Sequence, residues 1–441
     1  MVTSRLSGRK AQSWLSAAEV SGSQLFLSGS GYITLVVGGR TLNVAGFAAL
    51  TSFYLMLNVA GRGLCSASEL ELTRSVAFAG HDAARVGAVC RAGAKHAGAM
   101  VGLAVLVVLA AAPLLDRAFG GDTVLVALLA LSLPGMALSY LVRGPLAGKR
   151  RYHPYAVTFA VEAAVVLLSG LLMAAFQVSD VRWWAVGLVA GPLAGTLVAV
   201  VPLRGVARRA LAAGSRVAVE QVGGRRTDTK ARELVAAVII LGCTQAVWNL
   251  PPVLLTSRIT DAPAIAAGFA AVTLVLRMPV LLFPAVQALL LPVLATRSHT
   301  DRVPRVRAGM LSAMVIGAVI WLVGATALTP LAVRLTFGGL TIPAPAVLTV
   351  LAAAALIGSG AQIAQTALVA HRRQGAAAAV WASAAIALVA FAEFMPATPM
   401  AAAGGLGVAV CVALAASLVA LRATDQEGDA LGLRSRGARR P

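Results

Sequence analysis

The sequence predicts an all-α polytopic membrane protein: twelve transmembrane helices in two parallel six-helix repeats, with both termini on the cytoplasmic side. Three observations predict it. The first is composition. Of 441 residues, 59% are hydrophobic and only 12% charged, where a soluble domain is about 45–50% apolar and about 25% charged. The mean hydropathy is +0.84. The second observation is the placement of the lysines and arginines, and the third is a repeat at a fixed offset. Composition by itself excludes a soluble enzyme, a disordered chain and a secreted disulfide scaffold.

Hydrophobic runs bounded by charge, Pro or Gly give spans at 14–38, 46–67, 97–116, 123–143, 155–177, 183–203, 233–257, 264–293, 308–333, 344–369, 376–395 and 400–421. At roughly 20 residues per span, this uses nearly all the apolar sequence. The first span is the most polar, with Glu19 and a Ser/Gly-rich centre from Ser21 to Gly31. Its basic start (Arg5, Arg9, Lys10) resembles that of a signal peptide, but no compact apolar core with a small-residue cleavage site follows. Trp14 and Trp183-Trp184 stand at span ends, where indoles anchor helices at the membrane interface.

With the N-terminus inside, alternating spans place 30 of the 37 basic residues on the cytoplasmic arm, loops and tail. Five (Arg40, Arg117, Arg182, Arg258, Arg334) fall on outer loops, and Arg62 and Arg277 lie within spans. Such a bias is the positive-inside signature, and losing one span would invert the later loops. The formal charge of +20 is therefore a topology signal. It implies attraction to anionic membrane lipids and argues against nucleic acid as a partner.

The segment A-G-F-A-A-L-T at Ala45–Thr51 returns as A-G-F-A-A-V-T at Ala267–Thr273, an offset of 222. At that offset Arg150-Arg151 meets Arg372-Arg373, Leu146 meets Leu368 and Ala156 meets Ala378. The offset carries span two onto span eight, so each half has six spans and both halves face the same way. The expected organisation is a cytoplasmic arm 1–13, an N-terminal lobe 14–203, a basic cytoplasmic linker 204–232, a C-terminal lobe 233–421 and a disordered tail 422–441. Parallel repeats of this kind are a common transporter architecture, with substrate bound between the halves near the midplane.

Three stretches carry a family resemblance. "NVAGFAALTSFYLMLNVAGRGLCSASELELTRSVA" at the second span, "YLVRGPLAGKRRYHPYAV" after the fourth and "LRMPVLLFPAVQALLLPVLA" at the eighth resemble polysaccharide flippases of the multidrug/oligosaccharidyl-lipid/polysaccharide exporter superfamily. The resemblance runs over most of 14–421. It implies a MATE-like two-lobed bundle in the cell membrane, opening alternately to each side. It also implies a polyprenyl-phosphate-linked glycan as cargo, moved from the inner to the outer leaflet. Many relatives have fourteen spans; this chain has twelve.

An anionic lipid headgroup needs cations within the membrane. Arg277, about halfway along span eight, is the first candidate. An arginine there costs about 2.5–3.5 kcal/mol on insertion scales, and its fork matches phosphate geometry. Its repeat partner is the apolar Leu55, so repeat symmetry does not require it. The resemblance favours it too, because relatives use basic residues on the first, second and eighth helices. Arg62, in span two, is the next candidate, with snorkelling to the interface as the alternative. Arg143, ending span four beside Gly144-Pro145, is the third and is expected near the interface. Glu19 and Glu162 are the candidates for coupling to a proton or monovalent cation, with static pairing to an arginine as the alternative reading. Gln245 and Asn249 in span seven (beside Thr244) and Gln362 in span ten (with Ser359, Gln365 and Thr366) form polar stripes that line a cavity or join helices. Pro279, Pro284 and Pro292 mark bending points in span eight.

No catalytic residue, metal or cofactor is expected. Cys65, Cys90, Cys243 and Cys411 form no C-x-x-C motif, and the five histidines are scattered. A drug exporter of the same superfamily and a major-facilitator transporter are the alternatives. The first favours acidic and aromatic cavity groups; the second favours a G-x-x-x-D-x-x-G-R-type loop, whose order is absent from "ELELTRSVAFAGHDAARVGAVC". A membrane enzyme would want acidic or histidine groups on a large outer loop, and the outer loops here are short.

Overall fold

A computed structural model describes residues 2–80, 82–212, 225–278, 280 and 303–437. Their regular structure is entirely helical. The helices are α1 (Val2–Thr41), α2 (Val44–Ala79), α3 (Ala83–Ala110), α4 (Ala112–Ala118), α5 (Thr123–Gly148), α6 (Tyr152–Ala175) and α7 (Val181–Ala212). They continue with α8 (Arg225–Arg258), α9 (Pro263–Leu276), α10 (Val303–Phe337), α11 (Pro345–Ala370), α12 (Gln374–Phe394) and α13 (Pro399–Gly437). Ten of them are long and apolar enough to cross a membrane, as expected of a multi-pass membrane protein. α1 covers the first expected span without being among the ten, in keeping with its polar centre. α9 begins the eighth span; Pro279, Pro284 and Pro292, further along it, lie outside the described residues.

Helix ends follow local chemistry. Asn43 accepts from the Gly46 N–H at 2.7 Å to start α2. Asp82 accepts from Ala84 and Arg85 to start α3, and Asp122 accepts from Val124 to start α5. Each side chain satisfies a backbone donor that the first turn leaves free. The third span is interrupted at Ala111, because Pro113 enters the first turn of α4 and has no N–H to continue α3. Several helices outrun the spans read from hydropathy. α2 continues past residue 67 to Ala79, α1 begins at Val2, and α7 and α8 extend into the linker. α13 continues past Arg422 to Gly437, where the sequence pointed to disorder. A helix does not stop at the edge of an apolar run when the residues that follow are Ala, Leu, Arg, Glu and Lys, all good helix formers.

The 222-residue offset reappears in backbone geometry. Arg150 and Arg372 are both left-handed, with φ of 55° and 59°. The Arg151 N–H donates to Leu146 O at 2.8 Å, and the Arg373 N–H to Leu368 O at 2.9 Å. The Tyr155 N–H meets Arg151 O, and the Ala377 N–H meets Arg373 O, both at 3.1 Å. The turns leaving α5 and α11 are thus built alike, bond for bond, in a conformation uncommon for residues other than glycine.

Contacts divide the chain into two compact units. The first comprises residues 1–271 with 333–341, and the second 272–332 with 342–441. The first unit takes in α8, which packs on α2 and α4. In the first unit α2 is central, with Phe47, Leu50, Phe53 and Leu55 fully buried. It lies against α8 at a glycine crossing, where a Cβ on Gly63 would be 3.2 Å from Gly242 Cα. Small residues let apolar helices approach this closely. Trp184 is buried, its indole N–H bonded to Val178 O at 3.0 Å, so only its neighbour Trp183 is exposed in the manner of an interface anchor. In the second unit α11, α12 and α13 pack around Trp381, Leu388 and Leu406. Rows of exposed apolar side chains, such as Leu103, Leu106 and Val107 on α3 and Ile320 and Val323 on α10, are what lipid contact requires.

Gly268, in the repeated A-G-F motif, is sterically obligatory. A Cβ there would sit 1.7 Å from the Thr341 carbonyl oxygen, and backbone cannot rotate away as a side chain can. Gly268→Val is expected to lower stability by about 3 kcal/mol, read as a fall in the thermal midpoint of the detergent-purified protein. Gly22→Val, on α1 with nothing within 4 Å, should leave it near wild type.

Candidate functional site

The first unit holds two polar assemblies. One is centred on Arg62. Residues Asn58–Cys65 of α2 form a π-helical segment, and Arg62 lies at the midpoint of the 36-residue helix. Local π geometry is frequent at functional positions. Gly61 and Gly63 flank Arg62 and let neighbours in: a Cβ on Gly61 would overlap Met136, and one on Gly63 would lie 3.3 Å from Gln245 Cβ. Gln245 and Asn249 are therefore on the α8 face that meets this segment. The Asn249 amide donates to Gln245 O at 2.7 Å and to Gln245 Oε1 at 2.9 Å. Asn58 donates to Tyr54 O at 2.9 Å. Arg62 is half-buried and forms no ion pair among the described residues. Trp248, buried beside Asn249, has an indole N–H with no hydrogen-bond partner among them.

The second assembly joins α2, α5 and α6. Arg143 is buried, 2% exposed. Its Nη2 forms an ion pair with Glu162 and its Nε donates to Thr158 Oγ1 at 2.9 Å. Its guanidinium carbon lies 3.9 Å from the Phe159 ring centroid, a cation–π contact. α7 closes over the pair through Gly191 and Gly195; a Cβ on Gly195 would be 3.3 Å from Arg143 Nη2. Glu69, from α2, accepts from the Tyr155 hydroxyl at 2.7 Å. Glu69 was not singled out from sequence. It stands seven residues after Arg62, two turns along one helix face, and that spacing was the available signal. Glu19 is exposed and lies 2.9 Å from His153 Nδ1.

In the second unit Arg277 is 7% exposed, at the turn that ends α9. Gln362 is buried on α11, and its carbonyl accepts from Thr366 Oγ1 at 2.9 Å. The buried Gln365 Oε1 has no hydrogen-bond partner among the described residues. No group of three His, Cys, Asp or Glu side chains able to hold a metal occurs among them. The structure thus joins Arg143 with Glu162, and it sets Gly63, the neighbour of Arg62, against Gln245.

No family model matches the sequence, and no curated protein does. Solved structures do match in fold. One is an inward-facing multidrug resistance MATE family transporter of the MOP superfamily, with a TM-score of 0.66 and 12% identity, covering 92% of this chain and 95% of that one. A eukaryotic MATE transporter gives 0.58 and 13%, covering 97% and 99%. The lipid II flippase MurJ, in an inward closed conformation, gives 0.55 and 12%, covering 92% and 87%. The chain has the MATE fold.

Proposed function

We propose that the protein is a membrane transporter that moves a lipid-linked, polyprenyl-diphosphate-type glycan precursor across the bilayer by alternating access. The observation that carries the reading is Arg62: a mid-helix guanidinium on a π segment that packs against Gln245 through Gly63, without an ion pair among the described residues. A charge within a span is costly and marks function by default. A guanidinium free to bind two oxygens side by side suits a diphosphate. Gln245 and Asn249 supply amides for sugar hydroxyls. Within the second unit, taken by itself, Arg277, Gln362 and Gln365 are the polar groups that we assign to transport. Fold kinship with the lipid II flippase supports this cargo class.

The Arg143 assembly we assign to coupling. Two carboxylates, Glu69 and Glu162, stand with one guanidinium, so a bound proton or monovalent cation would balance the charge. Arg143 acts here by holding Glu162. The same acidic assembly favours a second reading, export of a cationic small molecule, in line with the multidrug transporters of this fold.

Ligand-induced stabilisation separates the two. A ligand that binds only the folded protein stabilises it by about 2.7 kcal/mol at 100 times its dissociation constant. Polyprenyl diphosphate should raise the thermal midpoint of the purified protein, while polyprenol and rhodamine 6G should not. A shift with the dye alone would favour the exporter.

A further inference from the structure

Two charges on α2 are unmatched. Glu69 and Glu162 share one guanidinium, that of Arg143, so their assembly is one cation short. Arg62 is half-buried and forms no ion pair among the described residues. Seven residues of helix put Arg62 and Glu69 about 10 Å apart along the axis. An arginine and a glutamate side chain are together long enough to close that gap. Their attraction is strong where water is scarce, and yet they stay apart.

Tyr140 of α5 supplies the reason. α2 and α5 run side by side in the same sense: a Cβ on Gly61 would overlap Met136, and one on Gly144 would lie 2.9 Å from Leu72 Cβ. Tyr140 comes midway between Met136 and Gly144, so it is level with the stretch of α2 between Arg62 and Glu69. Its side chain is buried, 9% exposed. The charges of Arg62, Glu162, Arg143 and Glu69 all act on it. Arg143, three residues further along α5, has its guanidinium carbon 5.8 Å from the Tyr140 ring centroid, a cation–π contact that helps fix the ring. The Tyr140 hydroxyl has no hydrogen-bond partner among the described residues, so the ring is a wall between the charges and not a bridge. We infer that Tyr140 is a positioning residue that insulates Arg62 from Glu69: its ring keeps the guanidinium from collapsing onto the carboxylate, which leaves Arg62 open to an anion. The inference rests on the transporter reading above for the identity of that anion, a diphosphate.

The first test needs no cargo. Thermal midpoints of the detergent-purified protein are measured for Arg62→Ala, Glu69→Gln and the two combined, with Tyr140 intact, in Tyr140→Phe and in Tyr140→Ala. With Tyr140 intact or in Tyr140→Phe the losses should add. In Tyr140→Ala the two groups meet, so the combined variant should lose less than the sum of the single losses. Tyr140→Val leaves a smaller void and repeats the cycle if the alanine variant fails to fold. The second test is stabilisation by polyprenyl diphosphate. Tyr140→Phe should bind it like wild type, and Tyr140→Ala about tenfold more weakly or worse. Adding Glu69→Gln to Tyr140→Ala should recover most of the loss, which removal of a carboxylate charge would not do for a fold merely loosened by a void. Coupling of Arg62 to Glu69 with Tyr140 in place would overturn the insulator. So would additive losses in the alanine and valine variants alike, or weakened binding that Glu69→Gln does not restore. Coupling that appears in Tyr140→Ala, in a protein that polyprenyl diphosphate never stabilises, would keep the insulator and overturn the cargo. Wild-type stabilisation that Tyr140→Ala leaves unchanged would do the reverse.

Discussion

Glu162→Ala is expected to destabilise the protein by about 3–5 kcal/mol, the usual cost of removing one partner from a buried ion pair. The cause is Arg143, which would keep its charge at 2% exposure with Thr158 and the Phe159 ring for company. Unfolding in mixed micelles, followed by tryptophan fluorescence, measures the loss. Two companion variants isolate the mechanism. Arg143→Met combined with Glu162→Leu removes both charges and should recover most of the stability, since apolar replacements of buried pairs are often neutral or better. Glu69→Gln combined with Glu162→Ala should be worse than the sum of the single changes, because Glu69 is the other carboxylate beside Arg143 and the two substitutions then share one partner. Additive losses would mean that the two carboxylates act separately.

Arg62→Ala should weaken stabilisation by polyprenyl diphosphate by about 10- to 100-fold in apparent affinity, the range expected for losing charge-assisted hydrogen bonds worth about 1.5–3 kcal/mol. The fold should survive, because Arg62 leaves no buried ion-pair partner among the described residues. Arg62→Lys keeps the charge but loses the two-pronged geometry, so it should fall between the two. Equal affinity in all three proteins would remove Arg62 from the site.

Much of the fold was legible in the chain because membrane folding writes itself into one dimension. The ten helices able to cross a membrane coincide with apolar runs. The repeat noticed at Arg150 and Arg372 is matched by paired left-handed turns. What hydropathy missed was whatever depends on helices meeting. The π segment around Arg62 packs against Met136 and Gln245, neighbours from distant sequence. Arg143 ends an apolar run, and hydropathy gives no sign that α6 and α7 cover it. Glu69 looked like a loop charge because the hydropathy of α2 falls after Cys65, while the helix itself does not stop there. Glu19 lay inside an apolar run and is nevertheless exposed, paired with His153.

We propose that the protein carries a lipid-linked anion from one leaflet to the other. The direct measurement reconstitutes purified wild type into sealed vesicles holding a fluorescent polyprenyl-diphosphate glycan, and follows how much of the label a membrane-impermeant quencher reaches with time. The inner-leaflet fraction is expected to become accessible with the wild type, and at least tenfold more slowly with Arg62→Ala or Arg277→Ala. Vesicles in which that fraction stays as protected as in protein-free controls, while rhodamine 6G is pumped, would contradict it.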